Sequence, residues 1–132
     1  MQYPGVVTTE MTSGPSGSLE ALVGEWSTLP DVAELLGVSI SKVHRLIEDH
    51  HLVQVRRSSD QVRQVPSAFI KDGEVVHHLR GTIMVLQDRG LRPEEIVEWL
   101  FTEDDSLPGR PIDQLRAGQR GEVRRRAQSL IL

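Results

Sequence analysis

Within Ser39-Ile-Ser-Lys-Val-His-Arg-Leu-Ile47, Lys42 and Arg45 stand three residues apart, a spacing that puts both on one face of a helix. A guanidinium held this way can donate two parallel hydrogen bonds to O6 and N7 of a guanine, and an ammonium beside it suits a phosphate. Ser41 and His44 add a hydroxyl and an imidazole to the same polar side. Arg56, Arg57 and Arg63 follow on either side of a Ser-Ser-Asp stretch, as cations able to meet phosphates or the neighbouring minor groove. Glu48 and Asp49 lie further along the first segment and repel phosphates, so its N-terminal half is the part expected to enter a groove.

The remaining clusters point to no other chemistry. His50-His51 and His77-His78 are adjacent pairs whose side chains diverge by about 100° on a helix, so neither chelates a metal by itself. With no cysteine in the chain, a thiolate nucleophile and Cys-ligated zinc are both excluded. Glu103-Asp104-Asp105 lacks the spacing, glycine and terminal Glu of a calcium loop and reads as a solvated turn. Arg124-Arg125-Arg126 can contact phosphates but is equally a solvated helix face. There is no nucleophile elbow, phosphate-cradling glycine loop or paired set of carboxylates, so no catalytic residue, metal or cofactor is assigned and an enzyme is not expected.

The elements that must position the two basic sets can be read from periodicity. Ser18 is expected to cap a first helix whose inner face is Leu19, Leu22, Val23 and Trp26. Thr28 and Pro30 start a second helix with Val32, Ala33, Leu35 and Leu36 inward, and Gly37 closes it. Ser39 caps a third, with Ile40, Val43, Leu46 and Ile47 inward and Ser41, Lys42, His44, Arg45, Glu48 and Asp49 outward. Alternating Val with Arg or Gln around Ser58-Ser-Asp60 predicts a two-stranded hairpin, and Ser67 to Ile70 a short helical turn. After a break at Asp72-Gly73, helices are expected over 74–89, from Pro93 through Ile96, Val97, Leu100 and Phe101, over 111–117 and over 122–131.

Two helices joined by a glycine turn, the second polar and basic outward, are the sequence form of a helix-turn-helix, and the hairpin behind it makes a winged version. A bare polar face is by default a solvated one. The joint occurrence of cap, glycine turn, small Ala33 at the helix contact and basic wing argues for double-stranded DNA as partner. The whole chain carries a net charge of −4, but residues 38–65 hold five Lys or Arg against three acids, while residues 1–37 hold five acids and no Lys or Arg. No stretch approaches a membrane span and no signal sequence opens the chain, so a cytoplasmic protein without membrane contact is expected.

The expected fold is therefore mainly α, with a disordered tail over 1–18, a winged helix-turn-helix over 19–70 and a helical C-terminal domain over 74–132. The tail is rich in Gly, Pro, Ser and Thr and has too few apolar groups to order itself.

Asp31-Val-Ala-Glu-Leu-Leu-Gly-Val-Ser39, Val43-His-Arg-Leu-Ile47 and Val65-Pro-Ser-Ala-Phe-Ile70 resemble the winged helix-turn-helix of excisionases and of the MerR group. With Gly109-Arg-Pro-Ile-Asp-Gln-Leu-Arg-Ala-Gly118 and the Arg-rich last helix included, the chain more closely resembles a small actinobacterial family of winged-helix DNA-binding proteins linked to Ser/Thr protein kinase signalling. The resemblance implies DNA contacts from Ser41, Lys42, His44 and Arg45 in the recognition helix and from Arg56, Arg57 and Arg63 in the wing. The long dimerising coiled coil of the MerR group is absent, so ligand-driven dimer twisting is not implied.

The kinase link turns attention to the tail hydroxyls. Val6-Val-Thr-Thr-Glu10 favours phosphorylation of Thr9 first and Thr8 second, and an added phosphate there is expected to compete with DNA for Arg56, Arg57 or Lys42. Together these readings imply a transcriptional or nucleoid-associated regulator. The C-terminal segment also resembles the tail of some antitoxins. The competing reading is an antitoxin-like or adaptor module whose C-terminal helices hold a protein partner.

Overall fold

A computed structural model describes residues 15–105, 107 and 109–130, with the backbone alone over 15–18. The expected tail, with Thr8 and Thr9, lies outside the described residues up to residue 14. Helix α1 spans Pro15–Val23, so it starts before Ser18, which lies inside it and is not its cap. Proline suits a first helical turn because its fixed φ is already helical and its missing N–H would have no partner there. Gly24, at φ +83°, closes the helix with its N–H on the Glu20 carbonyl.

Trp26, expected on the helix, instead opens strand β1 (Trp26–Thr28), and its indole N–H donates to the Glu20 carbonyl at 3.3 Å. Helix α2 (Leu29–Leu36) follows directly, with the Thr28 hydroxyl accepting from the Asp31 N–H. Gly37 ends it at φ +69°, a left-handed turn, and helix α3 (Ile40–Glu48) begins three residues on. The Ser39 hydroxyl caps α3 by accepting from the Lys42 N–H at 3.1 Å.

Strands β2 (Val55–Arg56) and β3 (Arg63–Pro66) form the expected hairpin, pairing Val55 with Gln64 and Arg56 with Arg63. The sheet has a third strand, since β1 pairs antiparallel to the other side of β3, Trp26 opposite Pro66 and Thr28 opposite Gln64. Three residues between two helices carry no period, so β1 is visible only through its partner across the fold. A 3₁₀ turn (Ser67–Phe69) leads into a second hairpin, β4 (Ile70–Lys71) with β5 (Glu74–Val75).

The helix expected from Glu74 begins only at Leu79. Asp72 and Gly73 both take positive φ, the geometry of a tight hairpin turn, and Val75, read as part of a helical face, sits in the returning strand. Helices α4 (Leu79–Asp88), α5 (Pro93–Phe101), α6 (Pro111–Arg116) and α7 (Gly121–Gln128) complete the chain.

One apolar core runs through both halves. Val32, Val43 and Val65 of the N-terminal half and Leu79, Leu86, Val97, Leu100, Ile112 and Val123 of the C-terminal half are fully buried in it. Helix α1 packs on α5, and Phe69 meets Phe101 with ring centroids 5.9 Å apart. Arg116 of α6 donates to the Ala68 and Ile70 carbonyls at 2.7 and 2.9 Å, and Lys71 donates to the Arg116 carbonyl at 2.7 Å. The C-terminal helices are thereby fixed to the winged domain.

Three residues assigned inward are largely exposed: Leu22 at 38%, Leu35 at 49% and Ile40 at 40%. An amphipathic stripe names the inner face of a helix, but not how far along that face its packed neighbours extend. Helices α2 and α3 reach the core chiefly through Leu29, Val32, Ala33 and Val43.

Candidate nucleic-acid interface

Helix α3 is anchored by the completely buried Val43, with Leu46 and Ile47 half-buried on the same side. At about 100° per residue, Ser41 and Arg45 point within roughly 40° of each other and away from Val43, while Lys42 and His44 fall on opposite flanks. All four side chains are exposed. The helix has nine residues and is thus about 13.5 Å long, close to the ~12 Å width of a B-DNA major groove. The central pair is in position for base edges and the flanks for the two backbones.

The wing supplies Arg56 and Arg63 from paired positions on β2 and β3, both exposed. Lys42, Arg45, Arg56 and Arg63 form no ion pair among the described residues. Arg57 differs. Its Nε and Nη2 donate to the two carboxylate oxygens of Asp60 at 3.0 and 2.8 Å, a bidentate pair inside the wing turn. The hydrogen bonds and charge of Arg57 hold the Asp60 carboxyl below its ordinary range, helped by the Val62 N–H, and Asp60 in turn raises the guanidinium.

The turn is tightly organised. The Arg57 N–H donates to the Val62 carbonyl at 2.8 Å, the Gln61 N–H to the Arg57 carbonyl at 2.7 Å, and the Val62 N–H to Asp60 at 3.1 Å. The Ser58 N–H donates to the Glu20 carboxylate at 3.0 Å, which ties the wing tip to α1. The structure thus places six sequence-assigned residues as free polar or cationic groups on α3 and the wing, and one, Arg57, already neutralised. Sequence reasoning missed Asp60 and Glu20 as braces. For Asp60 a signal existed in the Arg-x-x-Asp spacing and the tendency of Asp to accept from a backbone N–H two residues on. For Glu20, 38 residues from Ser58, there was none.

Among the described residues no three His, Asp or Glu side chains converge on a possible metal position, and no helix is long and apolar enough to cross a membrane.

Comparison with known proteins matches residues 19–70 to a family described as DNA-binding protein Rv2175c, wHTH domain, and residues 76–131 to the Rv2175c C-terminal domain of unknown function. The DNA-binding protein Rv2175c of Mycobacterium tuberculosis (strain ATCC 25618 / H37Rv) is 41% identical over 142 residues, covering 96% of this chain and 95% of the relative. The NMR structure of Rv2175c superimposes with a TM-score of 0.72 at 42% identity over 80% of each chain. This chain therefore shares its fold with a solved relative over four-fifths of its length, and it belongs to the Rv2175c family of winged helix-turn-helix proteins.

Proposed function

We propose that this protein binds double-stranded DNA with sequence preference and acts in the cytoplasm as a transcriptional or nucleoid-associated regulator. The observation that carries the reading is helix α3, buried through Val43 on one side and presenting unpaired Lys42 and Arg45 with Ser41 and His44 on the other, beside a wing with free Arg56 and Arg63. The similarity to a protein named for DNA binding supports it. In this reading Ser41 and Arg45 meet base edges, Lys42 and the wing arginines meet phosphates, and His44 lies at the groove wall.

The test is selection from a randomised duplex pool by the wild type and by Arg45→Ala. Loss of discrimination at a single base pair, by about 1–3 kcal/mol, is expected for the variant. A wild type that selects no sequence would overturn base reading, and one that retains no duplex would overturn DNA binding itself.

Regulation by phosphorylation of Thr9, or of Thr8, belongs to the same proposal. A phosphate adds about −1.5 to −2 charges to a segment without Lys or Arg, and that charge competes with DNA phosphates for Lys42 or Arg56, Arg57 being held by Asp60. A Ser/Thr protein kinase is the implied partner. Comparing DNA titrations of unmodified and phosphorylated protein, with kinase-treated Thr9→Ala as control, decides it; equal affinities refute the switch.

A further inference from the structure

The acidic end of helix α3 presents a problem for the DNA reading. Glu48 and Asp49 stand where the negative end of the helix dipole also lies, and a helix about as long as the groove is wide brings that end towards a phosphate strand. The C-terminal half of the chain supplies cations there. Arg80, in the first turn of α4, donates from Nε to the Asp49 carbonyl at 2.9 Å, across 31 residues of sequence. Its side chain is exposed, and its two Nη groups have no partner among the described residues.

A second guanidinium reaches the same turn of α4. Helix α7 packs on α4, and Arg124 reaches over Gly81 so closely that a Cβ on Gly81 would sit 3.4 Å from Arg124 Nη1. Glycine inside a helix is otherwise unfavourable, and here its bare backbone makes the seat for that side chain. Arg124 is exposed and forms no ion pair among the described residues, in contrast to its neighbour Arg125, which is held by Glu122 at 2.6 Å. Arg80 and Gly81 are consecutive in the first turn of α4, so two guanidinium groups without an ion pair among the described residues, one from α4 and one from α7, reach that turn, which the Arg80–Asp49 bond holds at the C-terminal end of α3.

We propose that Arg80 and Arg124 form a phosphate-binding ledge through which the C-terminal half grips the DNA backbone flanking the groove occupied by α3. Each guanidinium meets a backbone phosphate of the duplex, and these contacts carry no sequence information. The inference rests on the DNA-binding reading above and gives the C-terminal helices a part in it: they extend the footprint and offset the acidic end of the recognition helix.

The experiment is a titration of a fluorescent duplex at several salt concentrations with the full-length wild type, Arg80→Gln, Arg124→Gln and the double variant. Each phosphate contact contributes about 0.9 to the slope of log K against log salt. Each single variant is expected to make the slope shallower by about 0.9, and the double variant by about 1.8, with all sequences weakened alike. Arg124 makes no hydrogen bond to α3, so its variant reports on phosphate contact without disturbing that helix. An unchanged slope in Arg124→Gln overturns the ledge even if Arg80→Gln lowers affinity, since Arg80 would then only cap α3. If the variants leave the slope unchanged while Arg45→Ala still relaxes base preference, the ledge fails and the recognition helix stands. If the wild type shows no salt-dependent binding, the DNA reading fails and the ledge with it.

Discussion

Asp60→Asn should make this protein bind DNA more tightly and with a steeper dependence on salt. In the wild type the Arg57 guanidinium is engaged by both carboxylate oxygens of Asp60, at 3.0 and 2.8 Å, so a phosphate must displace an existing anion to reach it. Asparagine keeps an oxygen to accept from the Val62 N–H, now bonded to Asp60 at 3.1 Å, so the turn is preserved while the charge is removed. The Ser58 N–H to Glu20 contact is untouched. One more cation then becomes available at the wing, worth about 0.9 in the slope of log K against log salt. Between 50 and 200 mM salt that slope corresponds to about 3.5-fold more loss of affinity for the variant than for the wild type. Fluorescence anisotropy on one short duplex at three salt concentrations measures it. The double variant Arg57→Gln, Asp60→Asn should return the slope to the wild-type value, and Arg57→Gln alone should change it little. A slope in Asp60→Asn equal to or shallower than that of the wild type refutes the argument that Asp60 masks Arg57.

Three further outcomes follow from packing and charge. Val43→Ala removes two methyl groups from a completely buried site and should cost about 2 kcal/mol in urea denaturation, with weaker DNA binding because α3 loses its anchor. Gly37→Ala puts a Cβ on a residue at φ +69° and should cost about 1–2 kcal/mol by the same measurement, although nothing lies within 4 Å of the new atom; a smaller loss would show that the turn relaxes out of the left-handed region. Asp113 is held below the ordinary carboxylate range, first by hydrogen bonds from Arg110. A depressed folded-state value means that its stabilising contribution is present above the ordinary carboxylate range and is lost as pH falls through that lowered value. Thermal melts from pH 7 to pH 2 should therefore fall less steeply for Asp113→Asn than for the wild type, and parallel curves would remove the carboxylate from the acid response.

The helix-turn-helix was legible because its signals are local. Thr28 and Ser39 cap helices through their own hydroxyls, Gly37 turns the chain because it alone takes positive φ freely, and apolar spacing marks the inner face carrying Val43. The same spacing set Ser41, Lys42, His44 and Arg45 outward, where the structure has them exposed. The wing hairpin was legible from alternation, and α5 from the run of Ile96, Val97, Leu100 and Phe101. What tertiary structure alone decided involves pairs distant in sequence. Strand β1 exists because β3 offers it an edge far along the chain, Thr28 pairing with Gln64 and Trp26 with Pro66, and Trp26 leaves the helical pattern to join it. Leu35 and Ile40 are exposed because packing on α2 and α3 is concentrated at Leu29, Val32, Ala33 and Val43. The availability of each cation was likewise set by the fold: Arg57 is neutralised within its turn, while Arg80, unremarkable in sequence, is carried to the end of the recognition helix. Periodicity and capping act over a turn or two of chain, whereas a surface charge acts through whatever the rest of the fold brings within a few ångströms of it.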